Sequence, residues 1–306
     1  MYFVRAESVV VKTSTILLIY ILSFFHSTSV WSQEFYGDWS IGFFAGTINY
    51  QGDLKPNSFT FDHSNAAFKI SARKPLNRWL SFKAGFAFGE IEGADRYNRD
   101  YLKPRNLSFF TDIKEIFTVV EINVLDLSST RFSPYLYGGV SVFHCNPWTY
   151  DNSGIKTYLQ PLSTEGQGLP DYPSQKPYKL IQPALSFGLG ARYAIDRNVS
   201  IGVEFSQRKT FFDYLDDVST HYVDQSILLV AKGPKSVDLA YRGDELPGGQ
   251  AYPGHGTQRG TASEMDWYYY LGITAEVNLS LIKKILSRTK EDQKAIRHST
   301  NCPNKK

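Results

Sequence analysis

A cluster of acidic and nucleophilic residues follows a hydrophobic segment in the last third of the chain. Its members are Asp213, Asp216, Asp217, Ser219, His221 and Asp224. A serine close to a histidine and carboxylates could supply the nucleophile and base of a lipid-modifying enzyme. The same carboxylates could instead form a solvated acidic loop, with or without a divalent cation. Because no second segment supplies an evident oxyanion or metal partner, we favour the solvated loop.

The other residues that could carry chemistry are scattered. The six histidines form no pair spaced by four residues, and no Cys-x-x-Cys motif is present. The chain also lacks a phosphate-binding glycine loop and a nucleophile elbow. Gly188 and Gly190 look like the start of a dinucleotide fingerprint, but their spacing in a strand pattern puts both on a polar inner face, where small residues relieve crowding. We therefore predict no metal and no cofactor.

The segment from Trp267 to Leu279 alternates between two chemically opposite sets of residues. One set is apolar throughout, whereas the other contains tyrosine, glycine, threonine, glutamate and asparagine. Because strand side chains alternate between faces, the pattern predicts a β-strand with one apolar face, long enough to cross a membrane obliquely. Trp267 and Tyr269 head the apolar row, where a bilayer interface would place aromatic residues.

Seven other segments share this character, and their spacing separates a membrane barrel from a soluble sandwich. The predicted strands lie near residues 35–51, 65–76, 79–93, 108–127, 134–149, 179–195, 199–214 and 266–282. The linkers between them alternate between short and long, which is the pattern of short periplasmic turns and long extracellular loops. The sequence thus predicts an all-β fold, an eight-stranded antiparallel transmembrane β-barrel in the bacterial outer membrane, with both termini periplasmic.

The beginning of the chain has the pattern of a secretory signal peptide. Arg5 and Lys12 precede an apolar core at residues 16–25, and small residues follow before a cut at Gln33. The core is too short for a membrane anchor. We predict three parts, which are a signal peptide at 1–32, the barrel at 33–282 and a basic periplasmic tail at 283–306. Aromatic residues make up 15% of the chain, as aromatic girdles require.

The polar faces of the predicted strands carry charges of both signs. The side chains that should point inward are Lys69, Arg73, Lys83, Glu121, Arg192, Glu204, Arg208 and Glu276. Eight strands enclose a space that side chains can fill, and opposite charges in such an interior should pair. We interpret this set as a structural plug rather than a proton or ion pathway, which makes passive transport the weakest functional hypothesis.

Several short runs resemble the PorG-like outer-membrane barrels. The runs are Tyr50–Leu54, Ser133–Val140 continuing to Pro147, Leu159–Leu169, Phe212–Thr220, and Arg259–Gly260 ahead of Asp266–Tyr268. The resemblance covers about residues 35–282, and the run Asp-Tyr-Leu-Asp-Asp-Val-Ser-Thr is its most specific part. It implies a barrel among outer-membrane lipids that ties a periplasmic ring of protein or lipoprotein subunits to the membrane, as in the type IX secretion machinery.

The chain departs from typical barrels after its last strand. It continues into a basic tail that contains Lys283, Lys284 and Arg288 and, near its end, Cys302. We expect Cys145 at the opposite end of the barrel, roughly 30 Å away, so an intrachain disulfide is not expected. If the barrel docks a periplasmic assembly, the basic residues supply an electrostatic approach, and Cys302 could form an intermolecular bridge in the oxidising periplasm.

Two functional hypotheses from different classes follow. The first is a non-enzymatic barrel that anchors or docks a periplasmic envelope assembly, as a PorG-like component of protein secretion. The second is an outer-membrane lipid-modifying enzyme that uses the cluster from Asp213 to Asp224. A nucleic-acid partner is not expected, because the net charge is only +3 and no basic patch is interleaved with aromatic residues.

Overall fold

The alternating segments of the sequence form strands in the computed structural model, which describes residues 39–55, 63–126, 130–284 and 287. The predicted signal peptide and most of the tail lie outside these residues. The ten strands are β1 (Ser40–Gln51), β2 (Asn65–Pro75), β3 (Leu80–Ala94), β4 (Ser108–Asn123), β5 (Phe132–His144), β6 (Trp148–Tyr150), β7 (Lys156–Tyr158), β8 (Ile181–Ala194), β9 (Val199–Thr210) and β10 (Trp267–Asn278).

Eight of these strands close into a barrel. Each long strand pairs antiparallel with the next long strand along the chain, with β5 pairing β8 across the intervening hairpin. β1 then pairs with β10 along its whole length, from Ser40 opposite Asn278 to Gln51 opposite Trp267. The predicted eight-stranded antiparallel barrel is therefore confirmed. The last strand ends four residues earlier than predicted, and residues 279–284 are helical.

The connections divide the barrel into two different ends. At the short-turn end, brief turns join β2 to β3, β4 to β5 and β8 to β9, and β1 begins there while β10 ends there. At the long-loop end, the β5–β8 connection contains the β6–β7 hairpin, and the β9–β10 connection contains helices α1 (Gln225–Lys232) and α2 (Pro234–Ala240). None of the helices in the described residues is long and apolar enough to cross a membrane.

The outside of the barrel wall is apolar. Large hydrophobic side chains on neighbouring strands are exposed, among them Phe68 at 60% and Ile273 at 64%. On β3 the outward row from Leu80 to Phe88 makes a belt about 20 Å high at a strand tilt of roughly 40°. Exposed aromatic residues border the belt at the short-turn end; they are Trp39, Trp79, Phe132 and Tyr193. Such a surface requires apolar surroundings.

Glycines on the inner face make room for large side chains. A Cβ atom on Gly190 would lie 2.4 Å from the ring of Tyr135, and one on Gly188 would lie 2.6 Å from the ring of Tyr137. Each would also meet the backbone of β9, at 2.6 Å and 2.4 Å respectively. The prediction that these two glycines relieve crowding inside the barrel is confirmed.

Candidate functional site

The interior nearest the short-turn end holds an ionic cluster of two arginines and two glutamates, which Lys83 Nζ, 3.2 Å from Glu121 Oε1, links to the next layer. Arg73 Nε lies 2.7 Å from Glu121 Oε2. Arg192 Nη2 donates to the same Glu121 oxygen at 3.0 Å and to Glu276 Oε1 at 2.9 Å. All four side chains are buried. Two guanidinium groups thus neutralise two carboxylates that face each other across the barrel.

The middle of the barrel is organised around Glu204. Its two carboxylate oxygens accept from Lys69 Nζ at 3.0 Å and Lys83 Nζ at 2.9 Å. The hydroxyls of Tyr135 and Tyr137 each donate to Glu204 at 3.2 Å. A cavity bordered by Lys69, Lys83 and Glu204 measures about 10 Å³, which is the least that holds one water molecule. This layer is filled.

A third layer pairs Arg208 with Glu115. Arg208 Nε donates to Glu115 Oε1 at 2.7 Å, while the hydroxyls of Tyr268 and Tyr270 donate to Glu115 Oε2 at 2.9 Å and 3.2 Å. The eight charged residues that were predicted to point inward all lie inside the barrel. Glu115 was missed, although it shares the inward alternation of Ile113 and Phe117 on β4. That alternation was the signal that could have identified it.

An apolar layer separates these charges from the long-loop end. It consists of inward side chains that are no more than 1% exposed, namely Ile48, Ile91, Phe109, Ile113 and Phe143. These residues pack in one hydrophobic cluster with Tyr50 and Leu215. Thr111 lies between Phe109 and Ile113 on the inward face of β4, and its hydroxyl donates to the Leu215 carbonyl at 2.7 Å. The five apolar side chains lie between the ionic layers and the long-loop end and offer no hydrogen-bonding group.

The long loops close this end of the barrel with a second buried polar network, here called the polar cap. Its charged members are Asp53, Asp95, Arg105, Glu165, Asp213, Asp216, Asp217, Arg259 and Asp266. Arg105 Nη2 lies 2.6 Å from Asp95 Oδ1, and the same guanidinium donates to the Asp53 and Arg259 carbonyls. The cap thereby joins the β1–β2, β3–β4 and β9–β10 connections.

Glu165 joins the β5–β8 connection to the polar cap. Its carboxylate accepts from Arg259 Nη1 at 2.9 Å, from the Ser219 amide at 2.8 Å and from the Thr220 amide at 2.9 Å. The hydroxyl of Tyr214 donates to it at 3.2 Å. Every oxygen of this buried carboxylate is therefore used, and all four long connections meet in one network.

Three other carboxylates of the cap have no cationic partner among the described residues. Asp216 and Asp266 lie on either side of the Tyr50 hydroxyl, at 2.5 Å and 3.2 Å. Asp213 accepts from Ser219 Oγ at 2.7 Å, and its other oxygen has no described hydrogen-bond partner. Burial raises the pKa of Asp213 to about 9 and the pKa of Asp216 to about 8, and it raises the pKa of Asp266 well above its usual value. Burial thus favours the protonated form of these three carboxylates.

The expectation of a solvated acidic loop is wrong, because Asp213, Asp216, Asp217 and Ser219 are at most 5% exposed. The loop that carries these residues is held inward by Arg259, which lies 42 residues after Asp217 and donates to the Asp217 carbonyl. Asp217 also accepts from Thr164 and Tyr178, and burial, opposed by Arg259, raises its pKa to about 6.

The structure does not join the remaining members of the cluster into a catalytic group. Ser219 Oγ bonds Asp213, and no described hydrogen bond joins it to a histidine. His221 is exposed, while Asp224 caps α1 by accepting from the Ser226 amide at 2.9 Å. No group of three histidine, cysteine or acidic side chains within the described residues has the geometry of a metal site.

The predicted docking residues lie at or beyond the limit of the described chain. Lys283 and Lys284 are exposed in the helical stretch at 279–284. Arg288 and Cys302 lie outside the described residues. Cys145 is buried just after β5, where its thiol faces the Leu180 carbonyl, and burial raises the pKa of that thiol to about 12.

Sequence comparison gives one family. The family model described as "Domain of unknown function (DUF6089)" matches residues 15–229, about two thirds of the chain. No curated protein is significantly similar in sequence.

Solved structures with a similar fold are small barrels. Neisserial surface protein A is 10% identical, with a TM-score of 0.40, covering 80% of this chain and 99% of its own. The attachment invasion locus protein Ail of Yersinia pestis is 10% identical, with a TM-score of 0.37, covering 79% and 97%. The outer membrane protein OprG of Pseudomonas aeruginosa is 10% identical, with a TM-score of 0.36, covering 80% and 98%. At this identity the likeness says nothing about a ligand or an activity.

Proposed function

The chain belongs to the DUF6089 family, and we propose that it is a non-enzymatic outer-membrane barrel that docks a periplasmic envelope assembly. In this proposal it acts as a PorG-like component of type IX protein secretion, ringed by outer-membrane lipids. The long-loop end faces the exterior, and the short-turn end, with both termini, faces the periplasm. The resemblance of the five sequence runs to PorG-like barrels supports the secretion assignment.

The apolar outer belt supports the membrane location. An exposed row of aliphatic and aromatic side chains on every wall of a closed barrel would be insoluble in water, and a bilayer is its natural solvent. Aromatic residues at the rim, such as Trp39 and Trp79, fit the membrane–water interface. Long loops outside and short turns inside complete the pattern of an outer-membrane barrel.

The filled interior is the observation that carries the docking role. Among the described residues, the inward charges are paired and apolar side chains lie between them and the polar cap, and this arrangement favours a filled barrel over a channel. A barrel that conducts nothing still offers a membrane anchor and two end surfaces. The short-turn end carries exposed Arg78, Arg131, Arg197, Lys283 and Lys284, and this basic surface suits a partner with an acidic face.

Site-specific photo-cross-linking in intact cells tests this proposal. A photoreactive residue at Arg78 or Arg197 should form adducts with periplasmic ring subunits, whereas the same residue at Lys176, exposed at the long-loop end, should not. The double variant Arg78→Glu and Arg197→Glu should assemble normally but reduce secretion about tenfold or more, since charge reversal disrupts electrostatic docking. Equal adducts from both ends, or unimpaired secretion by a correctly assembled double variant, would contradict the docking role.

A further inference from the structure

An open groove of about 820 Å³ lies on the outer wall of the barrel. Its floor consists of register partners on five neighbouring strands that turn their backbone toward the outside, namely Arg192, Gly202, Thr274, Phe44 and Lys69. Because register partners in antiparallel strands face each other at right angles to the strands, the groove crosses β8, β9, β10, β1 and β2 in that order. It lies between two adjacent rows of outward side chains.

Alanines in both walls widen the groove. Ala275 stands in the wall nearer the short-turn end, and Ala45 and Ala191 stand in the opposite wall. Bulkier neighbours rise beside them, among them Ile273 and Phe68, and both are exposed. Every outward side chain that lines the groove is aliphatic or aromatic, so the groove suits a hydrocarbon chain better than a polar ligand.

The groove rises from the short-turn end into the apolar belt. The row of register partners that begins at Phe132 passes through Tyr193 and Ala275 and, after one turn round the barrel, returns to β5 at Val142, ten residues nearer the long-loop end. In an eight-stranded barrel this stagger corresponds to a strand tilt of roughly 40°.

The dimensions of the groove match one acyl chain. Five strands about 4.8 Å apart give the groove a length of about 19 Å, and at a tilt of roughly 40° it climbs about 12 Å. One leaflet contributes about 15 Å of the hydrocarbon core of a bilayer. The groove therefore has the depth of a single leaflet, whereas a membrane-spanning partner would need twice that height.

Two arginines lie at the short-turn end of the groove. Arg131 immediately precedes Phe132, which lines the groove, and its carbonyl accepts from the Ala194 amide at 2.6 Å. Arg197 lies in the β8–β9 turn, where the neighbouring Asp196 carboxylate accepts from two amides of the same turn. Both arginines are exposed. Because guanidinium groups bind phosphate through paired hydrogen bonds, this end of the groove fits an anionic headgroup.

We propose that the groove and these two arginines bind one anionic glycerophospholipid. One acyl chain lies in the groove, the phosphate lies between Arg131 and Arg197, and the rings of Phe132 and Tyr193 border the level between them, where interfacial aromatic residues belong. The inference rests on the membrane location and orientation of the proposed function, in which the short-turn end lies in the periplasmic leaflet.

Native mass spectrometry of the full-length barrel released from nanodiscs tests the site. The nanodiscs contain equal amounts of phosphatidylglycerol and phosphatidylcholine with the same acyl chains. One phosphatidylglycerol should remain bound per barrel. Ala275→Trp or Ala45→Trp fills the groove and should reduce its retention about tenfold or more. Val120→Trp, at an exposed outward position outside the groove, is the matched control and should retain the lipid.

The headgroup is tested separately. The wild-type barrel should retain phosphatidylglycerol over phosphatidylcholine about tenfold or more, since each basic residue near the membrane surface attracts anionic lipid. The double variant Arg131→Ala and Arg197→Ala should lose this preference. Arg78→Ala, which removes an exposed arginine from the β2–β3 turn, away from the opening of the groove, should keep it.

Three results would overturn the proposal. The first is equal retention of the two lipids, which would identify the bound molecules as ordinary surrounding lipid. The second is unchanged retention in both folded groove variants. The third is a dimer that Ala275→Trp dissociates, which would make a second copy of the chain the occupant.

The experiment also separates this proposal from the proposed function. No periplasmic protein is present, so a barrel that enters nanodiscs but retains no phosphatidylglycerol would refute the lipid site and leave the docking role intact. A barrel that fails to enter nanodiscs would refute the membrane location and the lipid site together.

Discussion

The hydroxyl of Tyr50 donates a 2.5 Å hydrogen bond to Asp216, a residue 166 positions further along the chain. A second carboxylate oxygen, Asp266 Oδ1, lies 3.2 Å from the same hydroxyl. A phenol has a single proton to donate, so it can hydrogen-bond only one of the two carboxylates at a time. The Leu215 amide donates to the other oxygen of Asp266 at 2.8 Å, and burial raises the pKa of Asp266 well above its usual value. The Tyr50 contact ties the end of the first strand to both ends of the β9–β10 connection.

Replacing Tyr50 with Phe should loosen the polar cap. The change leaves Asp216 and Asp266 buried without their shared donor, which should destabilise cap closure by about 1–3 kcal/mol. Limited proteolysis should then cut the connection at 211–266 faster. The barrel itself should stay folded, so the difference in its gel migration with and without boiling should stay unchanged. Tyr150→Phe, at an exposed position, is the control. Equal protease resistance in both variants would show that the Tyr50 contact does not hold the cap.

Cap stability should fall as pH rises from about 4 to 9. Asp213 and Asp216 have a usual pKa of 3.8, raised in the folded cap to about 9 and about 8. Between these limits the closed cap binds more protons than the open loops, so closure is strongest at low pH and weakens as pH passes through the folded pKa values. Hydrogen exchange of loop amides, corrected for intrinsic rates, should accelerate with pH, and Asp213→Asn should reduce this dependence. A closure equilibrium that strengthens with pH would refute the assignment.

The purified barrel should show no steady ion conductance in planar bilayers, because its inward charges are paired and apolar side chains lie between them and the polar cap. Glu204→Gln removes the carboxylate that pairs Lys69 and Lys83. Loss of one partner from a buried ion cluster should lower the free energy of unfolding by about 3–5 kcal/mol, measurable by urea unfolding in lipid vesicles. Glu90→Gln, on the outward face of β3, should have little effect. Sustained conductance that changes with Lys83 or Glu204 would reveal a pathway.

Replacing Ser219 or His221 with Ala should leave lipid A and phospholipid acylation unchanged. Ser219 is buried and bonded to Asp213, and His221 is exposed without a described bond to that serine. A nucleophile needs a base within hydrogen-bond reach and access to substrate. Mass spectrometry of outer-membrane lipids is the measurement. Altered acylation in a variant that still forms the barrel would favour the lipid-modifying hypothesis.

Cys302 should form an intermolecular disulfide if the tail docks covalently to a periplasmic partner. Non-reducing gels of whole cells should then show a higher-mass band that disappears in Cys302→Ala and persists in Cys145→Ala. Cys145 should not react, because burial raises the pKa of its thiol to about 12 and leaves little thiolate at neutral pH. A monomer band that neither substitution alters would exclude the covalent link while leaving electrostatic docking by Lys283 and Lys284 open to the cross-linking test.

The alternation of residue types determined the barrel. Side chains of a strand alternate between faces with a period of two, so the sequence of each segment assigns its side chains to two faces. The face that points inward follows from the requirement that apolar residues face outward. Lys83 and Glu204 could therefore be placed inside without any structure. The lengths of the linkers determined which end has short turns. The predicted end of β10 was less accurate, because Leu279 and Leu281 continue the apolar row of the strand after the backbone becomes helical.

Only the tertiary structure decided the contacts of the loops. Loop residues have no period that predicts a face, so Asp213 and Asp217 looked solvated when read beside their neighbours in sequence. They are buried because groups remote in sequence surround them. Glu165 shows the same effect, because its partner Arg259 lies 94 residues away. Which carboxylates receive an arginine and which do not depends on these long-range distances. The barrel follows from a local pattern, whereas the cap follows from closure of four long connections over one end, which no local pattern encodes.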